Sequence, residues 1–223
     1  VEHIIALRLG MGVDDVVIST NSGDPPLFDR SSVDLVEAVE QCEIIERDEP
    51  AQYVTVKEPV TFGGNRGDFL TFLPPENGEK KLRLDVAIDF SSVIGQQRIV
   101  FDVTPDSFRH GAFARTNASH RQMLMVRLFG FLFADTRNLG YTTDNILIHG
   151  KHKYYGEPRF VQEDSGKALE PVWHRATLDL LAAIALIDIG RFVGRVVSYR
   201  AGHTLDVRAV GLLYKHNLLE PLE

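Results

Sequence analysis

The sequence predicts an α+β fold, in which helices and mixed sheets form layers around a hydrophobic core. Helical and strand-like patterns follow one another in mixed order: a helix, a strand and a helix come first, then several strands, then mostly helices. This order is typical of α+β layers and differs from the regular alternation of parallel α/β folds. Hydrophobic residues make up 44% of the 223 residues and charged residues 25%, as in ordinary globular proteins.

The first 49 residues form a short unit that ends at a charged connector. Residues 46–51 carry four acidic or basic side chains and Pro50, which is typical of a linker. We therefore predict two domains, residues 1–49 and residues 50–223. The elements predicted in the first unit are a helix over 1–11, a strand over 13–19, a turn over 21–26 and a helix from Ser32 or Asp34 to Cys42.

The second unit alternates between short strand patterns and longer apolar helical patterns. The longest helical pattern covers residues 172–190, and Gly63–Gly67 is expected to form a hairpin loop. The predicted strands cover 53–58, 69–73, 82–90, 99–103, 145–148 and 193–200. The remaining helical or turn-like stretches cover 107–114, 121–133 and 205–216.

Charge and cysteine usage exclude several classes of protein. The formal net charge is −7 and no basic stripe is visible, so we expect no nucleic-acid partner. The longest apolar stretch, residues 178–187, is too short to span a bilayer. The single cysteine, Cys42, cannot form an internal disulfide or a cysteine-based zinc site, and no secretory signal opens the sequence as given. These features favour a cytoplasmic location.

One short basic cluster, residues 149–153, contains two histidines and two lysines. Such a cluster is able to bind phosphate or a metal, but a solvated loop explains it more simply.

Three groups of motifs carry a resemblance to a known family. The first is Val1-Glu2-His3 with residues 9–15 and 24–31, the second is residues 88–96 with Ala114-Arg115-Thr116, and the third is residues 170–179 with residues 201–205. In their order and separation these motifs resemble those of the UDP-3-O-acyl-N-acetylglucosamine deacetylases, which commit a UDP-sugar to lipid A synthesis. The resemblance implies two α/β sandwich domains with the active site between them. The first domain is then incomplete in this chain: either its early strands lie on an unseen segment or on another chain, or the protein is a shortened variant.

The resemblance also implies a zinc amidohydrolase and a role for particular residues. The substrate is an acylated UDP-sugar, and its acyl chain would bring the protein close to a membrane surface. The implied zinc ligands are His3, His174 and Asp179. The implied catalytic residues are Glu2 as general base, His203 as acid and Thr116 as a polariser of the substrate carbonyl, while Arg175 and Asn117 take positions of substrate contact.

The spacing of His174 and Asp179 departs from the family pattern, in which the two ligands are four residues apart. Here they are five apart, and on a regular helix their side chains diverge by about 140°. Three explanations remain open. In the first, a π-bulge brings both side chains onto one face of the helix. In the second, the helix begins only after His174, which leaves that residue free to point inward. In the third, the motif has decayed and Arg175 pairs with Asp179.

Other departures leave the function open as well. The family's phenylalanine after the threonine is Asn117, the glycine of an early motif is Arg30, and a second acid one turn after the ligand aspartate is Ala183. The leading hypothesis is a zinc-dependent deacetylase. The alternatives are a non-catalytic protein that binds a UDP-sugar or acyl chain on the same fold, and a structural subunit.

Overall fold

The computed structural model describes residues 2–19, 29–129 and 142–222. Helices and mixed sheets are both present, which confirms the α+β fold. The helices are α1 (Glu2–Gly10), α2 (Val33–Glu40), α3 (Pro105–Ala112), α4 (His120–Phe129), α5 (Glu170–His174), a π-helical segment (Arg175–Leu180), α6 (Leu181–Ile184) and α7 (His203–Lys215), with a 3-10 turn at Glu76–Gly78.

The strands form three sheets. A five-stranded sheet has the order β2 (Val60–Gly63), β3 (Phe69–Leu73), β10 (Gly194–Tyr199), β4 (Leu82–Asp89) and β5 (Gln96–Asp102). A three-stranded sheet has the order β11 (Leu219–Leu222), β1 (Tyr53–Val56) and β9 (Arg191–Phe192), and another the order β6 (Thr116–Ser119), β7 (Ile146–His149) and β8 (Tyr154–Tyr155). Strands β10 and β4 are parallel, as are β6 and β7, whereas β2 and β3 form the predicted antiparallel hairpin around residues 63–67.

One face of the five-stranded sheet packs against the helices. Burial alternates along β10, and Leu84, Val86 and Val196 are fully buried. This alternation is expected when one face of a sheet is covered and the other faces water. The helical residues that complete the core are Phe108, Val172, Leu178, Ala209 and Leu213.

The first 49 residues contribute to the same core. Ala6, Leu7, Val33 and Val36 belong to the hydrophobic cluster that the sheet and the later helices build. Helix α1 packs against the π-helical segment and α6. The division of the chain at residue 49 stays a prediction.

The predicted strand over residues 13–19 is wrong. These residues have no regular secondary structure, and the side chains of Val16, Val17 and Ile18 are 45%, 93% and 37% exposed. A β-branched sequence favours extended backbone, but a strand exists only where another strand accepts its hydrogen bonds. In the described part of the chain no strand pairs with this segment. The turn predicted over 21–26 and the last part of the helix predicted over 121–133 lie outside the described residues.

The later helical predictions are largely confirmed. The long helix runs continuously from Glu170 to Ile184, somewhat shorter than the predicted 172–190, and the last helix is α7. Residues 149–153 lead through a tight connection from β7 to β8. No helix in the described ranges is long and apolar enough to cross a membrane.

A buried ion pair fastens β6 to the long helix. The guanidinium of Arg115 donates two hydrogen bonds to the carboxylate of Glu170, at 2.7 and 3.0 Å, and the Arg115 backbone N–H donates a third at 2.9 Å. The Glu170 side chain is 0% exposed and that of Arg115 is 5% exposed. Arg115 also donates to the carbonyls of Thr143 and Glu157. Thr116 follows Arg115, and His174 lies one turn after Glu170. The Arg115–Glu170 ion pair therefore determines how Thr116 and His174 face each other.

We predict that Glu170→Gln lowers the free energy of unfolding by about 3 kcal/mol, since it leaves the Arg115 guanidinium buried beside a neutral amide. Urea denaturation followed by the fluorescence of Trp173, the only tryptophan, measures this loss.

The matched control is Glu163→Gln, because Glu163 is exposed. It should change the unfolding free energy by no more than about 0.5 kcal/mol. Equal stability of the two variants would show that the buried pair does not secure β6.

Candidate active site

The predicted site residues all lie where helices or strands begin or where the long helix widens. Glu2 and His3 form the first turn of α1, Thr116 opens β6, and His203 opens α7. His174 and Asp179 lie on the long helix. Four separate elements therefore contribute to one locality, which no single stretch of sequence shows.

The long helix contains a π-helical turn between its two predicted ligands. Residues Arg175–Leu180 are π-helical, and Nδ1 of His174 lies 3.6 Å from Oδ1 of Asp179. In a π-helix residues five apart lie on the same face, so the wider turn places His174 and Asp179 on one face although they are five residues apart. The π-bulge explanation of the spacing is confirmed.

The helix start required by the second explanation and the ion pair required by the third are both wrong, whereas zinc binding by the motif stays a prediction. The helix does not begin after His174, because α5 starts at Glu170. Arg175 does not pair with Asp179, because its Nη2 binds Oδ1 of Asp206 at 2.6 Å. A buried acid on α7 attracts this arginine away from the helix face that carries Asp179.

The imidazoles and the carboxylate cluster closely. The rings of His3 and His174 meet edge to face with centroids 5.3 Å apart. Oδ1 of Asp179 lies 3.6 Å from Nδ1 of His174 and also 3.6 Å from Nε2 of His203. These separations exceed hydrogen-bond length, and Oδ1 of Asp179 is buried without a hydrogen-bond partner.

Thr116 fixes the other side of the His174 ring. Its Oγ1 lies 3.0 Å from Nε2 of His174, within hydrogen-bond distance. His174 is only 5% exposed, so bulk water does not compete with the Thr116 hydroxyl for this contact. The contact holds the two predicted site residues together.

The electrostatics of His3 and Asp179 favour the forms of these two residues that bind metals. Burial and the nearby His174 lower the pKa of His3 to about 4. Burial opposes ionisation of Asp179, but the nearby His174, Arg175 and His203 together outweigh it and lower the pKa of Asp179 to about 2. At neutral pH His3 is therefore neutral and Asp179 ionised, as metal coordination requires.

Two imidazoles and a carboxylate are a donor set that fits zinc. The unpartnered buried oxygen of Asp179 is a further sign of a missing partner, because buried carboxylate oxygens are normally satisfied. Within residues 2–19, 29–129 and 142–222, however, no three such side chains are arranged to hold a metal ion as they stand. The residue types are suitable zinc ligands, but their side chains would have to move closer together to bind the ion.

The remaining predicted residues differ in exposure. Glu2 is exposed in the first turn of α1, and a backbone hydrogen bond holds its pKa below the ordinary value. Asn117 is half-buried in β6, opposite Leu147 of β7. His203 is 58% exposed, whereas Arg175 is buried. Of these, Glu2, Asn117 and His203 have side chains at least partly open to solvent.

Sequence reasoning missed three charged residues that support the site: Arg115, Glu170 and Asp206. Arg115 and Glu170 belong to the motifs that carry the family resemblance: Arg115 directly precedes Thr116, and Glu170 lies one turn before His174. Asp206 follows His203 by three positions on α7. The available signal was a charged residue among apolar neighbours in the sequence. Such a residue is expected to be buried, and buried charges are paired in folded proteins.

The π turn should tolerate the deletion of one residue. Deletion of Ala176 removes the surplus residue, so the π-helical turn should become a regular α-helical one and keep Asp179 beside His174. Ala176 contributes only a methyl group, and we expect the unfolding free energy to fall by less than about 2 kcal/mol.

Deletion of the exposed Arg208 from the regular helix α7 is the control. It would rotate Ala209, Val210 and Leu213 by about 100° out of the core and abolish folding. Circular dichroism and thermal melting compare the two deletions. Unfolding by both would show that the π turn does not absorb a surplus residue.

Comparison with known proteins identifies the family. Residues 1–215 match the family model described as UDP-3-O-acyl N-acetylglycosamine deacetylase. Proteins named UDP-3-O-acyl-N-acetylglucosamine deacetylase from Brucella ovis, Brucella canis and Brucella melitensis are each 28% identical over 222 residues, which cover 96% of this chain and 69% of theirs. Because the family model spans almost the whole sequence, the chain belongs to the UDP-3-O-acyl-N-acetylglucosamine deacetylase (LpxC) family.

Proposed function

We propose that the chain is a zinc-dependent deacetylase that removes acetate from UDP-3-O-acyl-N-acetylglucosamine in lipid A biosynthesis. The observation that carries the proposal is the π turn, which returns Asp179 to the face of His174 although the two are five residues apart. The names of the relatives support the reaction and the substrate class. The acyl chain of that substrate would bring the protein close to a membrane surface.

The zinc site would use His3, His174 and Asp179. When bound there, zinc would supply an activated water and a polarised carbonyl. The contribution of the chain is to offer the neutral imidazole of His3 and the ionised carboxylate of Asp179 at neutral pH, beside the buried ring of His174. The hydrogen bond between Thr116 and His174 would keep that ring oriented.

Amide hydrolysis also needs a base, a stabiliser of the oxyanion and an acid. Glu2 would accept the proton of the attacking water as its oxygen bonds to the acetyl carbon. Thr116 would donate its hydroxyl to the carbonyl oxygen. His203 would protonate the sugar nitrogen as the C–N bond breaks, so that acetate and a free amine leave. Asn117, beside Thr116, and Arg175 stay predicted substrate contacts.

A non-catalytic binding protein is the second candidate. It is favoured by one observation: in the described part of the chain the three ligand side chains do not converge as a ready metal site. Such a protein would bind the acylated UDP-sugar without hydrolysing it. Metal content and turnover separate the two candidates.

We predict that the purified chain binds about one zinc ion and that His3→Ala loses it, because two remaining ligands do not hold zinc. Elemental analysis after dialysis measures the metal, and mass spectrometry follows loss of the acetyl group from UDP-3-O-acyl-N-acetylglucosamine. Glu2→Gln should keep zinc and lower turnover by about 100- to 10,000-fold, since it removes the base but no ligand.

His152→Ala is the matched control, because His152 is exposed in the connection between β7 and β8. It should retain both zinc and activity. A wild-type chain that binds the UDP-sugar but neither holds zinc nor releases acetate would refute the deacetylase proposal in favour of the binding protein.

A further inference from the structure

A second buried ion pair lies beside the site, between the long helix and α7. The Asp206 side chain is 0% exposed and that of Arg175 is 8% exposed, with Nη2 and Oδ1 separated by 2.6 Å. Arg175 directly follows His174, and Asp206 lies one turn after His203. The pair therefore joins the element that carries Asp179 to the element that carries His203.

Arg175 also holds the chain that leads into α7. Its Nε donates to the carbonyl of Ala201 at 2.8 Å, and its Nη2 lies 3.5 Å from Oγ of Ser198 at the end of β10. Arg200 between them has a left-handed backbone with φ of 55°. A non-glycine residue in this region is strained and persists only where surrounding contacts enforce it. The guanidinium supplies such contacts on both sides of Arg200.

His203 depends on its backbone for its position. Its side chain is 58% exposed, and its contact with Asp179 at 3.6 Å is too long for a hydrogen bond. The N-cap of α7 is Gly202, which has no side chain to secure the start of the helix. The carbonyl of Ala201 and the carboxylate of Asp206 lie on either side of His203 in sequence, and Arg175 binds both.

We propose that Arg175 and Asp206 form a buried clamp that positions His203 against Asp179. This inference rests on the proposed deacetylase function and adds two positioning residues to it. For Arg175 the clamp replaces the substrate contact that the family resemblance implies. The free Nη1 of Arg175 is itself buried, so a substrate reaches this guanidinium only if the clamp opens.

The clamp is tested with Asp206→Asn and with the double variant Arg175→Met/Asp206→Leu. The single variant keeps the shape of Asp206 but removes its charge. The double variant removes both charges, so it leaves no lone buried ion and should stay folded. We expect kcat to fall by about 10- to 100-fold in both while KM changes by less than about threefold, because a misplaced acid slows the chemistry and leaves substrate binding intact.

Hydrogen exchange of the backbone amides supplies a readout that needs no turnover. In both variants the amides of Leu205 and Asp206, which donate to the carbonyl of Gly202, should exchange at least about tenfold faster, while those of β4 stay unchanged, because only the start of α7 is released. Arg83→Met/Asp102→Leu applies the same chemistry to a more exposed pair on β4 and β5 and should alter neither kcat nor exchange at residues 205 and 206.

Two results would overturn the clamp. A raised KM with unchanged kcat would mean that Arg175 contacts the substrate, and unchanged exchange at residues 205 and 206 would mean that the pair does not hold α7. If the wild-type chain shows no deacetylation, the exchange data still decide about the clamp, so its failure is distinguishable from failure of the proposed function.

Discussion

His174 and Asp179 stand five positions apart, and a regular α-helix would point their side chains about 140° away from each other. The chemistry proposed for this chain depends on overcoming that divergence. The π-helical turn does so by widening the helix for one turn only. Because α6 continues directly after it, the same helix still presents its apolar residues to the core.

Tertiary packing holds the π turn in place. Ala176, Thr177 and Leu178 are all fully buried, and the hydroxyl of Thr177 donates to the carbonyl of Trp173 at 2.7 Å. On the α3 side Gly111 leaves room for Thr177, since a Cβ at Gly111 would lie 2.3 Å from its methyl group. An irregular turn persists when its surroundings over-determine it, and here both the close approach and the burial do so.

Two buried ion pairs extend this rigidity to the neighbouring elements. Glu170 precedes the π turn and binds Arg115, which holds β6 and Thr116 in place. Arg175 begins the turn and binds Asp206, which holds α7 in place. Such pairs add little net stability over apolar residues, but each gives a defined geometry because a buried charge tolerates few alternative partners. The long helix is thus fastened at two points on either side of His174.

The sequence carried enough information for the family, the α+β class and most helices, since motif order and apolar periodicity are local signals. It left the geometry of His174 and Asp179 open, because local spacing does not show tertiary contacts such as the close approach of Thr177 to Gly111 of α3. The strand predicted at 13–19 failed because propensity does not supply a pairing partner. Strand β11 was missed because it is short and contains Pro221, which strands usually avoid.

The π turn is proposed to let His174 and Asp179 bind one zinc ion together with His3. A crystal structure of the zinc-loaded chain, with diffraction data collected on both sides of the zinc absorption edge, tests it most directly. We expect an anomalous peak about 2.0–2.2 Å from a nitrogen of each histidine and from an Asp179 oxygen, with the π turn intact. A zinc peak elsewhere, or a regular helix that separates His174 from Asp179, would contradict it.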